Sequence, residues 1–203
     1  MYLGRAIAHQ RGGAARAGAH RLGRAAALIA LLSVADQAIA RQPFLGQTFW
    51  AACDVLVHGA VALVVARPHI RRARSARRAL ALSGLAFLSA TALDLDHFAA
   101  AGALDVRAAL VLPARPPTHS LTFALLLGAV LYRLSRDRTA GWVAFVAVAS
   151  HVLRDAAMGT APLLWPLAVD RVPWWVYVCG ELALVWASYR GIPGWRPASR
   201  GDT

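Results

Sequence analysis

Three apolar runs, Phe49–Ala66, Leu80–Leu93 and Val172–Ala187, constrain this chain more than any other feature. Each approaches the ~20 residues that cross a bilayer. A soluble core in a chain of 203 residues has no need of runs so poor in charge. The composition agrees, with 58% hydrophobic residues and a mean hydropathy of +0.49, on the membrane side of the usual range. The expected fold is therefore all-α, a polytopic transmembrane helix bundle of about six spans. Five of these are expected near 49–66, 79–93, 119–134, 140–157 and 172–190.

The amino-terminal segment has two readings. Residues 1–24 are rich in Arg, Gly and Ala, as in a disordered basic arm. The apolar stretch Ala25–Ala35 follows, then Asp36-Gln37 and Ala38-Ile39-Ala40. A basic region, a short apolar region and an A-x-A site also describe a signal peptide, which would leave five spans. The long basic region favours an uncleaved first span. The domains expected are thus an arm (1–24), a transmembrane helical domain (25–190) and a tail (191–203).

Charge sets the expected orientation. The net charge is +12, and all 22 basic residues are Arg. Seventeen of the 22 fall in four blocks: the arm, the 67–78 loop with six, the turn holding Arg133, Arg136 and Arg138, and the tail with Arg190, Arg196 and Arg200. Alternating spans put all four blocks on one side, which the positive-inside rule makes cytoplasmic. The chain is expected in the inner membrane, multi-pass, with its amino terminus in the cytoplasm. No basic surface interleaved with aromatics is present, so nucleic acid is not an expected partner. The seven tryptophans lie near expected span ends, as an aromatic belt requires. Cys53 and Cys179 have no C-x-x-C spacing and read as small buried hydrophobes, with a bridge between them left open.

Two segments are not expected to span. Ala99–Leu112 is short and contains Asp105 and Arg107, as in an external interfacial or re-entrant helix. Gly159–Asp170, broken by Gly159, Pro162 and Pro166, reads as an external apolar loop.

Ionisable residues inside such spans are candidate functional groups, since a charge at a helix centre costs ~2.5–3.5 kcal/mol on insertion scales. Span two carries Asp54 and His58 at i and i+4, and span five carries His151 and Asp155 at the same spacing with Arg154 between. Span three ends in Asp94-Leu95-Asp96-His97, and span four begins with Thr118-His119-Ser120 after Arg115. With alternating direction and a rise of 1.5 Å per residue, Asp54, His58 and His151 lie ~8, ~14 and ~9 Å below the outer ends of their helices. Four spans then bring imidazole and carboxylate to one depth, and these are donors that Zn²⁺ takes. Each group also has a plainer reading. His58 could bond Asp54 along its own helix, Asp96 could cap a helix beginning at His97, and Thr118 or Ser120 could cap span four. Arg154 could neutralise a carboxylate, Asp36 could snorkel, and Glu181 could make a single interhelical hydrogen bond. His9, His20 and His69 read as solvated.

Four motifs stand in order: His58-Gly59, then Asp94-Leu95-Asp96-His97, then Arg115-x-x-Thr118-His119-Ser120, then His151-x-x-x-Asp155 followed by Leu163-Leu164-Trp165-Pro166. The set resembles the YdjM-like family of predicted membrane-bound metal-dependent hydrolases over about 50–170. The chain departs from that pattern at Ala114 (His in the family), Leu93 (Pro) and Met158 (Thr), and its linker to Leu163 is one residue shorter. The H-x-x-x-D helices resemble, more distantly, those of zinc-dependent phospholipase C.

The resemblance implies a metal-dependent hydrolase. The expected metal set is His58, Asp94, His97, His119, His151 and Asp155, holding a divalent ion, with Zn²⁺ the expected metal. Asp96 or Asp54 would orient or deprotonate a water, and Arg115 would hold an anionic headgroup. The substrate expected from location is an ester or phosphoester of a lipid or phospholipid, at the extracytoplasmic face. Oligomeric state is left open. The alternatives are a non-catalytic metal or proton carrier, whose groups should sit at midplane between repeated halves, and a structural bundle with degenerate motifs.

Overall fold

The computed structural model describes His20 and residues 22–35, 37–39, 41–42 and 46–190. Asp36, His9, most of the basic arm and the tail from residue 191 lie outside the described residues. The elements run α1 (Leu22–Ile39), α2 (Gln47–Ile70), α3 (Ala76–Thr91), a 3-10 turn (Ala92–Asp94), α4 (Leu95–Ala101) and α5 (Val106–Leu110). They continue with α6 (Leu121–Ser135), α7 (Arg138–Met158), strands β1 (Ala161–Leu164) and β2 (Ala168–Asp170), and α8 (Trp174–Arg190).

Every expected span coincides with a helix. Among the described residues three helices are long and apolar enough to cross a membrane: α1, α2 and the Ala76–Ala101 stretch made of α3, the 3-10 turn and α4. At 1.5 Å per residue, α6 with 15 residues and α8 with 17 reach only about 22 and 26 Å, against a hydrocarbon core of ~30 Å. The 21-residue α7 is long enough, but Arg138, His151, Arg154 and Asp155 lower its hydropathy. That lower hydropathy has a structural reason. Helix α7 is central, packing on α2, α3, α6 and α8, and its Val143–Ala149 face is almost wholly buried. A helix shielded by its neighbours need not be apolar.

The bundle buries a polar cluster beside its apolar core and turns large apolar side chains outward. His58, His119, His151, Arg154, Asp155 and Glu181 are at most 2% exposed, while Leu80, Leu88, Leu125 and Leu134 are 62–79% exposed. An apolar exterior of this extent is suited to lipid and not to water. The chain is a helical membrane protein. Cys53 and Cys179 are free, Cys179 being exposed.

Local chemistry fixes the ends of the helices. Ser75, Ser120 and Asp137 stand at the N-caps of α3, α6 and α7, each side chain accepting from backbone N–H groups in the first turn. One end of the bundle is tied by arginines. The Arg72 guanidinium donates to the Ser188 and Tyr189 carbonyls, at 3.2 and 2.8 Å, at the last turn of α8, and Arg78 pairs with Asp137. The 71–75 and 136–137 connections and the end of α8 therefore lie together.

Glycine sets the crossing of α6 and α7. A Cβ on Gly128 would meet the Gly141 carbonyl oxygen at 2.8 Å, and one on Gly141 would meet the Gly128 oxygen at 2.6 Å. Backbone cannot give way as a side-chain tip can, so both positions must lack a side chain. Gly141→Val is expected to lower stability by about 1–3 kcal/mol through overpacking. The readout is the thermal midpoint in detergent, and an unchanged midpoint would contradict this crossing.

Neither cysteine is buried as expected, and four further local expectations need correction. Residues 159–170 are not an irregular loop: β1 and β2 form an antiparallel hairpin pairing Ala161 with Asp170 and Leu164 with Ala168. Pro162 is tolerated because an edge strand does not require its N–H. The 99–112 segment is two short pieces and not one helix, since Gly102 adopts φ +62° and ends α4, and Asp105 then caps α5. His69 is buried rather than solvated, because α2 runs past Ala66 to Ile70 and carries it into the bundle. Asp96 does not cap a helix, because α4 starts at Leu95 and leaves Asp96 in its first turn.

Candidate metal centre

Opposite the arginine-tied end, α2, the α3–α4 junction, the segment before α6 and the last turns of α7 converge. Helical spacing sets Asp54 above His58 and His151 above Asp155 on inward faces. The 3-10 turn redirects the chain so that Asp94 and Asp96 point to the same place. The Ser120 cap fixes the entry to α6 and places His119 one residue before it, fully buried. All nine residues expected at the site stand in one connected cluster.

At its centre are Asp94 Oδ1, His119 Nε2, His151 Nε2 and Asp155 Oδ2. His119 Nε2 lies 3.5 Å from both Asp94 Oδ1 and Asp155 Oδ2, and His151 Nε2 lies 3.5 and 3.1 Å from the same atoms. Four ligands at ~2.0–2.1 Å around a tetrahedral Zn²⁺ are separated by roughly 3.3–3.4 Å along each edge. The four carboxylate-to-imidazole separations are of that size, and two overlapping groups, Asp94/His119/His151 and His58/His151/Asp155, each bring three possible ligand atoms within 4.8 Å of one another. Both Nε2 atoms are buried without a hydrogen-bond partner, an arrangement that costs ~1–3 kcal/mol per orphaned group unless something binds there. The donor set thus fits a divalent metal.

The surrounding residues are placed differently from the centre. Asp96 stands behind His119, its Oδ2 3.4 Å from Nδ1, and accepts a hydrogen bond from Thr118. A carboxylate there is placed to orient the ring, as outer-shell carboxylates do for metal-bound histidines, although Nδ1 itself makes no hydrogen bond in the structure. His97 Nδ1 is 3.6 and 3.8 Å from Asp96 and Asp94, facing these carboxylates from outside. His58 stacks on His151 with ring centroids 3.7 Å apart, and its Nε2 is 3.4 Å from Asp155 Oδ1. Arg154 donates to Asp54 Oδ1 and contacts His58 Nε2, both at 2.6 Å. Arg115, 27% exposed, donates to Asp155 Oδ2 at 2.5 Å. The roles of Thr118 and Arg154 went beyond what sequence suggested. Thr118 showed only as a possible cap, and Arg154 gave no sign of joining two residues.

A family described as the YdjM inner membrane protein matches residues 53–199. Over 104 residues the chain is 36% identical to transmembrane protein 267 of Danio rerio, 33% to that of Xenopus laevis and 32% to that of Bos taurus. Each alignment covers 46% of this chain and 46–47% of the relative, so the chain matches about half the length of these relatives. No solved structure matches.

Proposed function

This chain belongs to the YdjM inner membrane protein family, and from that premise we propose that it is a membrane-bound, metal-dependent hydrolase. The observation that carries the proposal is the convergence of Asp94 Oδ1 and Asp155 Oδ2 on His119 Nε2 and His151 Nε2 at 3.1–3.5 Å, with both nitrogens buried and without a hydrogen-bond partner. The residues that would hold the metal are Asp94, His119, His151 and Asp155. A divalent ion there, Zn²⁺ by donor chemistry, supplies Lewis acidity and a water acidified toward a pKa of ~7.

The protein's own groups do the rest. Asp96 is placed to orient the His119 ring from behind. His119 and His151 are closed to solvent, whereas the Asp94 side chain is 19% exposed, so a reactant approaches over Asp94. Arg115, beside that opening, is placed to draw an anionic phosphoester and to neutralise charge developing on it. His97, on the same side, would take up or hold a proton at Nδ1, where the carboxylates of Asp96 and Asp94 lie 3.6 and 3.8 Å away. The substrate class that fits a site in a helical bundle with a lipid-facing exterior is an ester or phosphoester of a membrane lipid. In this reading the protein sits in the inner membrane with six spans and a cytoplasmic amino terminus, and the site opens at the extracytoplasmic face.

The test is hydrolysis of phospholipids and polyprenyl phosphates by the protein in detergent or proteoliposomes, with and without chelator. Metal-dependent turnover is expected. Asp96→Asn should weaken metal affinity about 10–100-fold, as loss of an outer-shell carboxylate does, and turnover should return at high metal concentration. Metal-dependent transport into proteoliposomes without hydrolysis of any such substrate would replace the enzyme with a carrier.

A further inference from the structure

Asp155 stands between two clusters of donors. Its Oδ2 belongs to the central set, while Oδ1 faces His58 Nε2 at 3.4 Å, and His58 Nε2 is in turn 3.5 Å from Asp54 Oδ2. A carboxylate shared in this way is the usual bridge of a two-metal site, whose ions lie ~3.5–4 Å apart. Asp54, His58 and Asp155 Oδ1 would supply the second ion with three donors.

That second place is already taken by a cation. The Arg154 side chain is 1% exposed, with one terminal nitrogen 2.6 Å from His58 Nε2 and the other 2.6 Å from Asp54 Oδ1. A guanidinium only donates and does not lose its charge. His58 Nε2 must therefore be the acceptor, with its lone pair committed to Arg154 and its ring proton on Nδ1. Charge leads to the same conclusion. Four carboxylates (Asp54, Asp94, Asp96 and Asp155) face two guanidinium groups (Arg115 and Arg154), as the ion pairs show. The two guanidinium groups already offset part of that negative charge, which weakens the cluster's attraction for a second divalent ion.

We infer that the protein binds a single divalent ion per chain and that Arg154 is a fixed second cation, closing the place that Asp54, His58 and Asp155 would otherwise offer to another metal. Arg154 is a positioning residue in this arrangement. It holds His58 and Asp54 in place beside the outer oxygen of Asp155. The inference rests on the metal-site reading above, and the outcomes separate the two.

The experiment is metal stoichiometry by elemental analysis of the full-length detergent-purified protein, equilibrated with Zn²⁺ and washed with a weak chelator. Electron paramagnetic resonance of the Co²⁺-substituted protein accompanies it. One ion per chain and an uncoupled Co²⁺ signal are expected. Two ions, or a magnetically coupled pair, would overturn the single-ion inference while leaving the metal site standing. No retained ion would overturn both. Arg154→Ala should bind a second ion, doubling the stoichiometry, whereas Arg154→Lys should stay at one. Arg154→Ala remaining at one under saturating Zn²⁺ would overturn the role given to Arg154. If the alanine variant does not fold, the wild-type stoichiometry and spectrum decide the matter.

Discussion

His119→Ala and His151→Ala should each lose nearly all bound metal and, with it, metal-dependent turnover. Each removes one of four central donors, and each sits where no other nitrogen can move in. His58 is held by Arg154, and His97 faces the outer side of Asp94 and Asp96. Loss of an outer-shell partner alone costs 10–100-fold in affinity, so loss of a direct ligand should cost on the order of 100-fold or more. His97→Ala is the internal control. Its ring touches carboxylates of the cluster without belonging to the central four, so metal content should be nearly unchanged. Equal losses in all three variants would mean that the cluster binds diffusely and that the central set has no special standing. Full retention in His119→Ala and His151→Ala would remove the site as described. Both rings are buried, so far-UV circular dichroism and the elution profile must show a folded protein before metal is measured.

The second large effect is all-or-none labelling across the membrane. The loop holding Arg71, Arg72, Arg74, Arg77 and Arg78 is tied to the 136–137 turn and to the end of α8. Translocating that loop is strongly disfavoured, so the orientation we propose keeps this end in the cytoplasm and turns the His/Asp cluster, at the other end, away from it. In a Cys53→Ser, Cys179→Ser background, cysteines at Ala100 or Ala114 should react with a membrane-impermeant thiol reagent in intact cells. Cysteines at Ser75 or Ser135 should react only after permeabilisation. All four positions are exposed, so a failure to label reports sidedness and not burial. Labelling of Ser75→Cys in intact cells with Ala114→Cys protected would invert the topology and move the chemistry to the cytoplasm.

What sequence reveals here follows from the range of the forces involved. Apolar runs and arginine blocks are local, and each expected span is a helix in the structure, with ends displaced by a few residues where Ser75, Ser120 and Asp137 cap them. The i,i+4 pairs Asp54/His58 and His151/Asp155 were legible because helical spacing alone puts them on one face. Convergence of the four motifs followed from alternation of the spans, which fixes depth without a structure. Side-chain direction was not legible. Whether Asp96 points at solvent, at a helix terminus or at the back of His119 depends on the 3-10 turn at Ala92–Asp94, which leaves no periodic signal. Likewise Arg154 could have neutralised any nearby carboxylate, and only packing of α7 against α2 selects Asp54 and His58. The hairpin at 161–170 was missed because two prolines and a glycine mask its short strands, and His69 because the end of α2 lies beyond its apolar run.

The central claim is that Asp94, His119, His151 and Asp155 form one metal-binding shell. X-ray absorption at the zinc edge on the purified protein tests it most directly. The expected spectrum shows a shell of two nitrogens and two oxygens at ~2.0–2.1 Å with the outer scattering of two imidazole rings, reduced to one ring in His151→Ala reconstituted at high Zn²⁺. A shell without imidazole scattering, or a wild-type protein that retains no metal, would contradict it.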